Sequence, residues 1–192
     1  MKIKIKALAM VQTGYTFRSR IEAVEDGRVS VIQMKDLLDD NTVDCNGLIS
    51  IEMETVKEHH LVRKGDLFFR SRGHISTAAI LLDNPGNAIV AAPLLRIRVK
   101  NQKEVLPEYL NWYFSQRDAQ IFLTSRARGT VQKMISKQAI EQLEIAVPSI
   151  EKQKTIVEMA SLVAREHVLL HLITQKRVQY ISTLLMQLAT GE

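Results

Sequence analysis

The sequence predicts a mixed α+β fold: a globular domain with a mixed or antiparallel sheet and short helices, followed by one long C-terminal α-helix. Three observations carry this. Short apolar runs punctuated by turn residues fill the chain up to Pro148. A stretch of roughly 40 residues after it holds neither Pro nor Gly, enough for a helix of about 60 Å. Apolar side chains in that stretch recur every seven residues. The boundary is therefore drawn between a domain at 1–148 and a helix at 149–192.

Each element has its own signal. Residues 29–34, Val-Ser-Val-Ile-Gln-Met, read as a strand, and residues 67–70 and 78–82 are short apolar runs, the second closed by the turn 83–86. Residues 94–99, Leu-Leu-Arg-Ile-Arg-Val, alternate, which is expected to turn Leu95, Ile97 and Val99 to the core and to set Arg96 and Arg98 side by side on an exposed face. Pro107 and Glu108 suit the first turn of a helix whose Tyr109, Leu110, Trp112, Tyr113 and Phe114 form a core face rather than a base-stacking platform. A polar loop spans 124–133. Ser136 is the expected N-cap of a short helix reaching Leu143, and residues 143–147 form another strand ended by Pro148. Ser149 caps the long helix, with Glu151 in its first turn.

Along that helix Ile156, Val163, Leu170 and Leu184, with Arg177, make one heptad row. Met159, Ile173 and Tyr180, with Glu166 and Gln187, make the row three residues on. The seam is imperfect but must be buried, against the domain, a second copy or a partner protein. Ile156, Val163, Leu170, Ile173, Tyr180 and Leu184 are the candidate dimer contacts.

The net charge of +5 is mild, but it is unevenly distributed. Residues 67–137 hold eleven basic and four acidic side chains, whereas residues 35–66 hold four and eight. The basic segment is rich in arginine, whose planar fork suits phosphates and guanine edges. Charge alone leaves two readings open: a nucleic-acid surface, or a solvated face that pairs with the acidic segment. The one cysteine, Cys45, allows no disulfide within the chain, points to an intracellular setting, and sits among aspartates that disfavour a thiolate. No run approaches the length of a transmembrane helix, and the lysines at the N-terminus interrupt any signal-peptide core. A cytoplasmic protein with no membrane partner is expected.

Several blocks, in order, resemble one family. They are residues 11–17 (Val-Gln-Thr-Gly-Tyr-Thr-Phe), 31–37 (Val-Ile-Gln-Met-Lys-Asp-Leu), 65–73 (Gly-Asp-Leu-Phe-Phe-Arg-Ser-Arg-Gly), 106–110 (Leu-Pro-Glu-Tyr-Leu), 129–136 (Gly-Thr-Val-Gln-Lys-Met-Ile-Ser) and 143–153 (Leu-Glu-Ile-Ala-Val-Pro-Ser-Ile-Glu-Lys-Gln). Each block alone is common. Their order and spacing resemble the specificity subunits of type I restriction–modification systems. That resemblance implies a target-recognition domain binding double-stranded DNA, with methyltransferase (modification) subunits and a restriction/translocase subunit as partners. Usual family members carry two such domains and two long helices. This chain has one of each, which implies a half-length form completed by a homodimer, or a fragment of a longer chain.

Under that reading, polar loops on a rigid scaffold carry the DNA contacts. The candidates are Tyr15, Thr16, Arg18, Arg20, Gln33, Lys35, Arg70, Ser71, Arg72, His74, Arg96, Arg98, Arg126, Arg128, Thr130 and Lys133. Arg72, Lys35 and Gln33 are expected to read bases, and Arg126, Arg128 and Lys133 to hold phosphates. Catalytic patterns are missing from the sequence: Asp66 with Glu52 or Glu54 lacks the Glu-x-Lys pairing of a nuclease, the adjacent His59 and His60 point apart, and no phosphate-cradling glycine loop appears. The expectation is a non-catalytic subunit without a cofactor or metal. The alternative is a coiled-coil adaptor between proteins, its basic surface incidental.

Overall fold

The computed structural model describes residues 2–73, 77–129 and 133–191. The chain has the mixed α+β fold that its sequence predicts. Its elements run β1 (Lys2–Lys4), α1 (Ile5–Leu8), β2 (Ala9–Thr13), β3 (Val29–Ile32), β4 (Ile49–Ile51), β5 (Leu67–Arg70), β6 (Ala78–Ile80), β7 (Ala88–Val90), β8 (Leu94–Val99), α2 (Pro107–Phe114), α3 (Arg117–Ser125), α4 (Lys137–Gln142), β9 (Glu144–Ala146) and α5 (Ile150–Thr190). Single 3-10 turns lie at Met34–Asp36 and Glu58–His60. The strands form an antiparallel sheet in the order β2-β8-β5-β6, a mixed sheet β4-β3-β7 in which β3 and β7 run parallel, and a pair β1-β9.

The mixed sheet is apolar on both faces. Ile32 and Val90 join Phe68, Leu81 and Leu94 in one cluster, while Val31, Ile89 and Ala91 face Tyr15, Phe17, Met53 and Leu61 in another. α2 begins at Pro107 and buries Tyr109, Leu110 and Phe114, the last with its ring 5.5 Å from that of Phe69. Tyr109 and Phe114 are core, as the sequence reading holds, whereas Trp112 and Tyr113 are half-buried; the Tyr109 hydroxyl donates to the carbonyl of Ala146 at 2.7 Å. Ser136 caps α4 by accepting from the Ala139 amide at 3.1 Å.

The structure corrects four of the expected DNA contacts. Arg96 is 3% exposed, not on an open face; its Nη1 donates to the Leu61 carbonyl and its Nη2 to Gln12 Oε1. Arg98 grips both oxygens of Asp66 at 2.6 Å and also donates to Leu61 O. Segment 61–66 thus covers the face that strand alternation left to solvent. Arg70 is buried and donates to Thr77 Oγ1 and to the carbonyls of Leu37 and Leu38. Ser71 is buried with its hydroxyl donating to Pro93 O. Arg70, Ser71 and Arg96 are buried within the fold, and Arg98, about a quarter exposed, is committed to Asp66 and Leu61.

The chain divides into two compact units, Met1–Lys154 and Thr155–Glu192. The start of α5 belongs to the first. There Gln153 is fully buried, its Nε2 donating to the carbonyls of Glu104 and Pro148 and its Oε1 accepting from the Leu106 amide, each at 2.9 Å. The second unit is the remainder of α5, where Val163, Leu170, Ile173, Tyr180 and Leu184 are exposed and Ile156 is half-buried.

Asp66 generates a stability prediction. Its carboxylate is 1% exposed and accepts from Arg98 and from the Arg63 amide at 2.9 Å. Replacing it by alanine strands a guanidinium that is itself three-quarters covered. Asp66→Ala should cost about 2–4 kcal/mol, read as a lower urea midpoint at unchanged slope.

Candidate nucleic-acid interface

Four chain segments meet around residues 91–93. Parallel pairing of β3 with β7 ends at Ile32 and Val90, and the Ala91 amide donates to Ile32 O at 2.9 Å, so Gln33 emerges beside the turn. Pairing of β2 with β8 delivers Gly14 and Tyr15 to the same place: Gly14 N donates to Leu94 O, Tyr15 N to Val90 O and Ala92 N to Tyr15 O. β5 ends opposite Leu94, and Ser71 ties to Pro93. The Ile135 amide then donates to Ser71 O, and isolated bridges join Met134 to Arg72 and to Arg128. Backbone bonds therefore gather the segments around 15, 33, 72 and 128 at one end of the two larger sheets.

Close approach explains two glycines. A Cβ at Gly14 would sit 2.6 Å from the carbonyl carbon of Ala91, and one at Gly27 would sit 2.5 Å from the Ile51 amide nitrogen. Neither passage admits a side chain without moving backbone.

Thr16, Arg18, Arg20, Lys35, Arg72, Arg126, Arg128 and Lys133 are all exposed. Tyr15 is half-buried, its ring edge-on to Phe17 and His60 at 4.9 and 5.3 Å. Lys35 pairs with buried Asp36 at 2.8 Å, leaving the ammonium half exposed. Gln33 begins the 3-10 turn, its amide donating to Asp36 Oδ2, while its own Nε2 is buried with no partner among the described residues. Arg72 Nε approaches Met134 Sδ at 3.4 Å, and the Arg126 guanidinium lies 4.3 Å above the Phe122 ring. His74 and Thr130 lie outside the described residues. The arrangement is a set of cations and amides on stiff loops, suited to positioning a polyanion and reading hydrogen-bonding edges.

Sequence reasoning passed over the His59–His60 pair except as a metal site. Their ring centroids lie 4.2 Å apart, and His60 packs against Tyr15. The signal was the adjacency of two imidazoles two residues before Val62; what hid their place was the fold that brings them to Tyr15.

Solved structures share this fold. The S subunit of a type I restriction–modification system from M. genitalium matches with a TM-score of 0.57 at 13% identity, over 86% of this chain and 39% of that one. The HsdS subunit from Thermoanaerobacter tengcongensis matches with a TM-score of 0.63 at 14% identity, over 86% and 37%. A structure described by its complex assembly and conformational transition in the type I R-M system matches with a TM-score of 0.66 at 14% identity, over 88% and 39%. The chain thus spans well under half the length of each. No curated protein sequence matches it. A family model described as the type I restriction modification DNA specificity domain matches residues 1–174, and the chain belongs to that family.

His60 gives the site a pH signature. Burial, then the neighbouring His59, Arg96 and Lys57, push its pKa below the ordinary 6.5. The fold favours the neutral ring, so this contribution is fully present above pH 6.5 and is lost as pH falls through the depressed value. Unfolding midpoints measured from neutral to mildly acidic pH should decline more steeply in the parent protein than in His60→Gln.

Proposed function

We propose that this chain is the DNA-recognition subunit of a type I restriction–modification complex, a cytoplasmic protein that contributes no catalytic group. It reads one half of a bipartite site and directs methyltransferase and restriction/translocase partners to it. The observation that carries this is the meeting of four polar, cation-bearing segments at one end of the sheets, in a chain of the DNA specificity family. Residues 1–148 act as the target-recognition domain and residues 149–192 as the spacer and docking helix. Base readout falls to Arg72, Lys35 and Gln33; Arg126, Arg128 and Lys133 hold phosphates, and Tyr15, Thr16, Arg18 and Arg20 flank them.

The exposed apolar side chains of α5 support a dimer of antiparallel helices, which restores two reading surfaces from one gene product. The heptad rows through Val163 and Leu170 are one stripe. Leu162, Leu169, Leu172, Leu185 and Met186 are exposed as well and lie off those rows. A helix apolar on several sides is covered by more than one neighbour. A second copy and a methyltransferase subunit together satisfy that need. The same helix is what an adaptor without DNA affinity would display.

Binding assays decide between the two. The chain should bind duplex DNA with an affinity that falls steeply with salt; an adaptor would show no such dependence. Arg128→Ala should weaken binding to all sequences and lower the salt slope by about one unit. Arg72→Ala should relax preference at one position among sequences selected from a randomised pool, costing roughly 1–3 kcal/mol there. An equal loss on selected and random duplexes would remove Arg72 from the base readers. Light scattering should return a dimer, and Leu170→Glu with Ile173→Glu a monomer.

A further inference from the structure

Beyond the loop cluster, the first unit carries two adjoining grooves on its surface. One, of about 560 Å³, runs between the end of α3 and α4 and is walled by Arg126, Arg128, Gln138 and Gln142, with no carboxylate in its lining. The other, of about 370 Å³, is walled by Lys2, Lys4, Tyr113, Phe122 and again Arg126 and Gln142, together with the carboxylates Asp118 and Glu144. The two share Arg126 and Gln142, so they form one trough. Arg128 bridges through Met134 to Arg72, which places one end of the trough at the loop cluster.

Four cations line the trough: Lys2, Lys4, Arg126 and Arg128. None of them forms an ion pair among the described residues, although carboxylates stand near two of them. Lys2 and Lys4 alternate to the same face of β1, and Glu144 stands opposite Lys4 in the β1-β9 register. Among the described residues neither ammonium has a hydrogen-bond or ion-pair partner, and both residues are exposed. A groove along which four cations outnumber the two carboxylates, Asp118 and Glu144, fits a linear polyanion better than a compact ligand.

We infer that one strand of the bound duplex continues from the loop cluster along Arg128 and Arg126 into this trough. Lys2 and Lys4 then hold phosphates that flank the bases being read. The inference rests on the DNA-recognition reading and adds a contact that fixes register without contributing to sequence choice. Gln142, shared by both grooves, donates to the same strand without adding to the salt dependence.

The test compares the full chain with Lys2→Gln/Lys4→Gln on random-sequence duplexes, long and short, across a salt series. On the long duplex the double variant should lose roughly one to two units of salt slope per protomer, with sequence preference among selected duplexes unchanged. On a duplex too short to reach the trough, the two proteins should bind alike. Lys2→Arg/Lys4→Arg should restore the slope, and Asp118→Asn/Glu144→Gln should tighten binding to the long duplex. Equal slopes on the long duplex, or an altered sequence preference, would overturn the inference while leaving the DNA-recognition reading in place. A parent chain with no salt-dependent DNA binding would remove both.

Discussion

The Asp66 carboxylate is the tie on which the domain depends. It stands at the entry to β5, in the interior of the four-stranded sheet. Arg98 reaches it from β8 with two hydrogen bonds. The same guanidinium donates to Leu61 O, and so does Arg96. Leu61 in turn bridges to Ile89 in the three-stranded sheet. One charged pair therefore links two sheets that share no strand. A buried pair of this kind repays its desolvation only when nearly every donor is used. Here the Arg63 amide donates to the carboxylate and the Leu61 carbonyl accepts from the guanidinium, adding one hydrogen bond on each side of the pair.

This tie gives the candidate interface its stiffness. The segments that carry Tyr15, Gln33, Arg72 and Arg128 are not free loops. The segments of Tyr15 and Gln33 are fastened by backbone bonds to residues 90–92, and those of Arg72 and Arg128 by backbone pairing with residues 134–135. A base-reading side chain needs a fixed origin, because a hydrogen-bonding edge discriminates only within a few tenths of an ångström and a narrow angle. The fold supplies that origin through main-chain bonds, leaving the side chains outside it open to vary in chemistry.

Much of the fold was legible. The Leu-Arg-Ile-Arg-Val alternation marked β8, Pro107 marked the start of α2, Ser136 marked α4, and the Pro- and Gly-free run marked α5. The faces of β8 were not legible, because alternation tells which residues share a side and not what covers that side. Here an irregular segment, 61–66, covers it, and irregular segments leave no period to read. α3 was missed because its apolar residues, Ala119, Ile121, Phe122 and Leu123, are clustered, and only Ala119 and Leu123 are buried. β1 was hidden by Lys2 and Lys4, which alternate along its exposed face. In the candidate site, exposed cations were found where the sequence placed them, but buried ones were indistinguishable from them: Arg70 and Arg72 differ by two positions and occupy opposite environments.

Gln153 has a consequence for how the molecule responds to its medium. Its three hydrogen bonds join neutral groups only: an amide to two carbonyls and a backbone N–H. Screening by salt acts on charges, and protonation acts on titratable groups; this joint has neither. A cationic surface of the kind proposed for DNA binding loosens its hold as ionic strength rises. The root of the long helix does not share that response. Solutes that weaken a cationic grip therefore leave the Gln153 joint within the first unit intact.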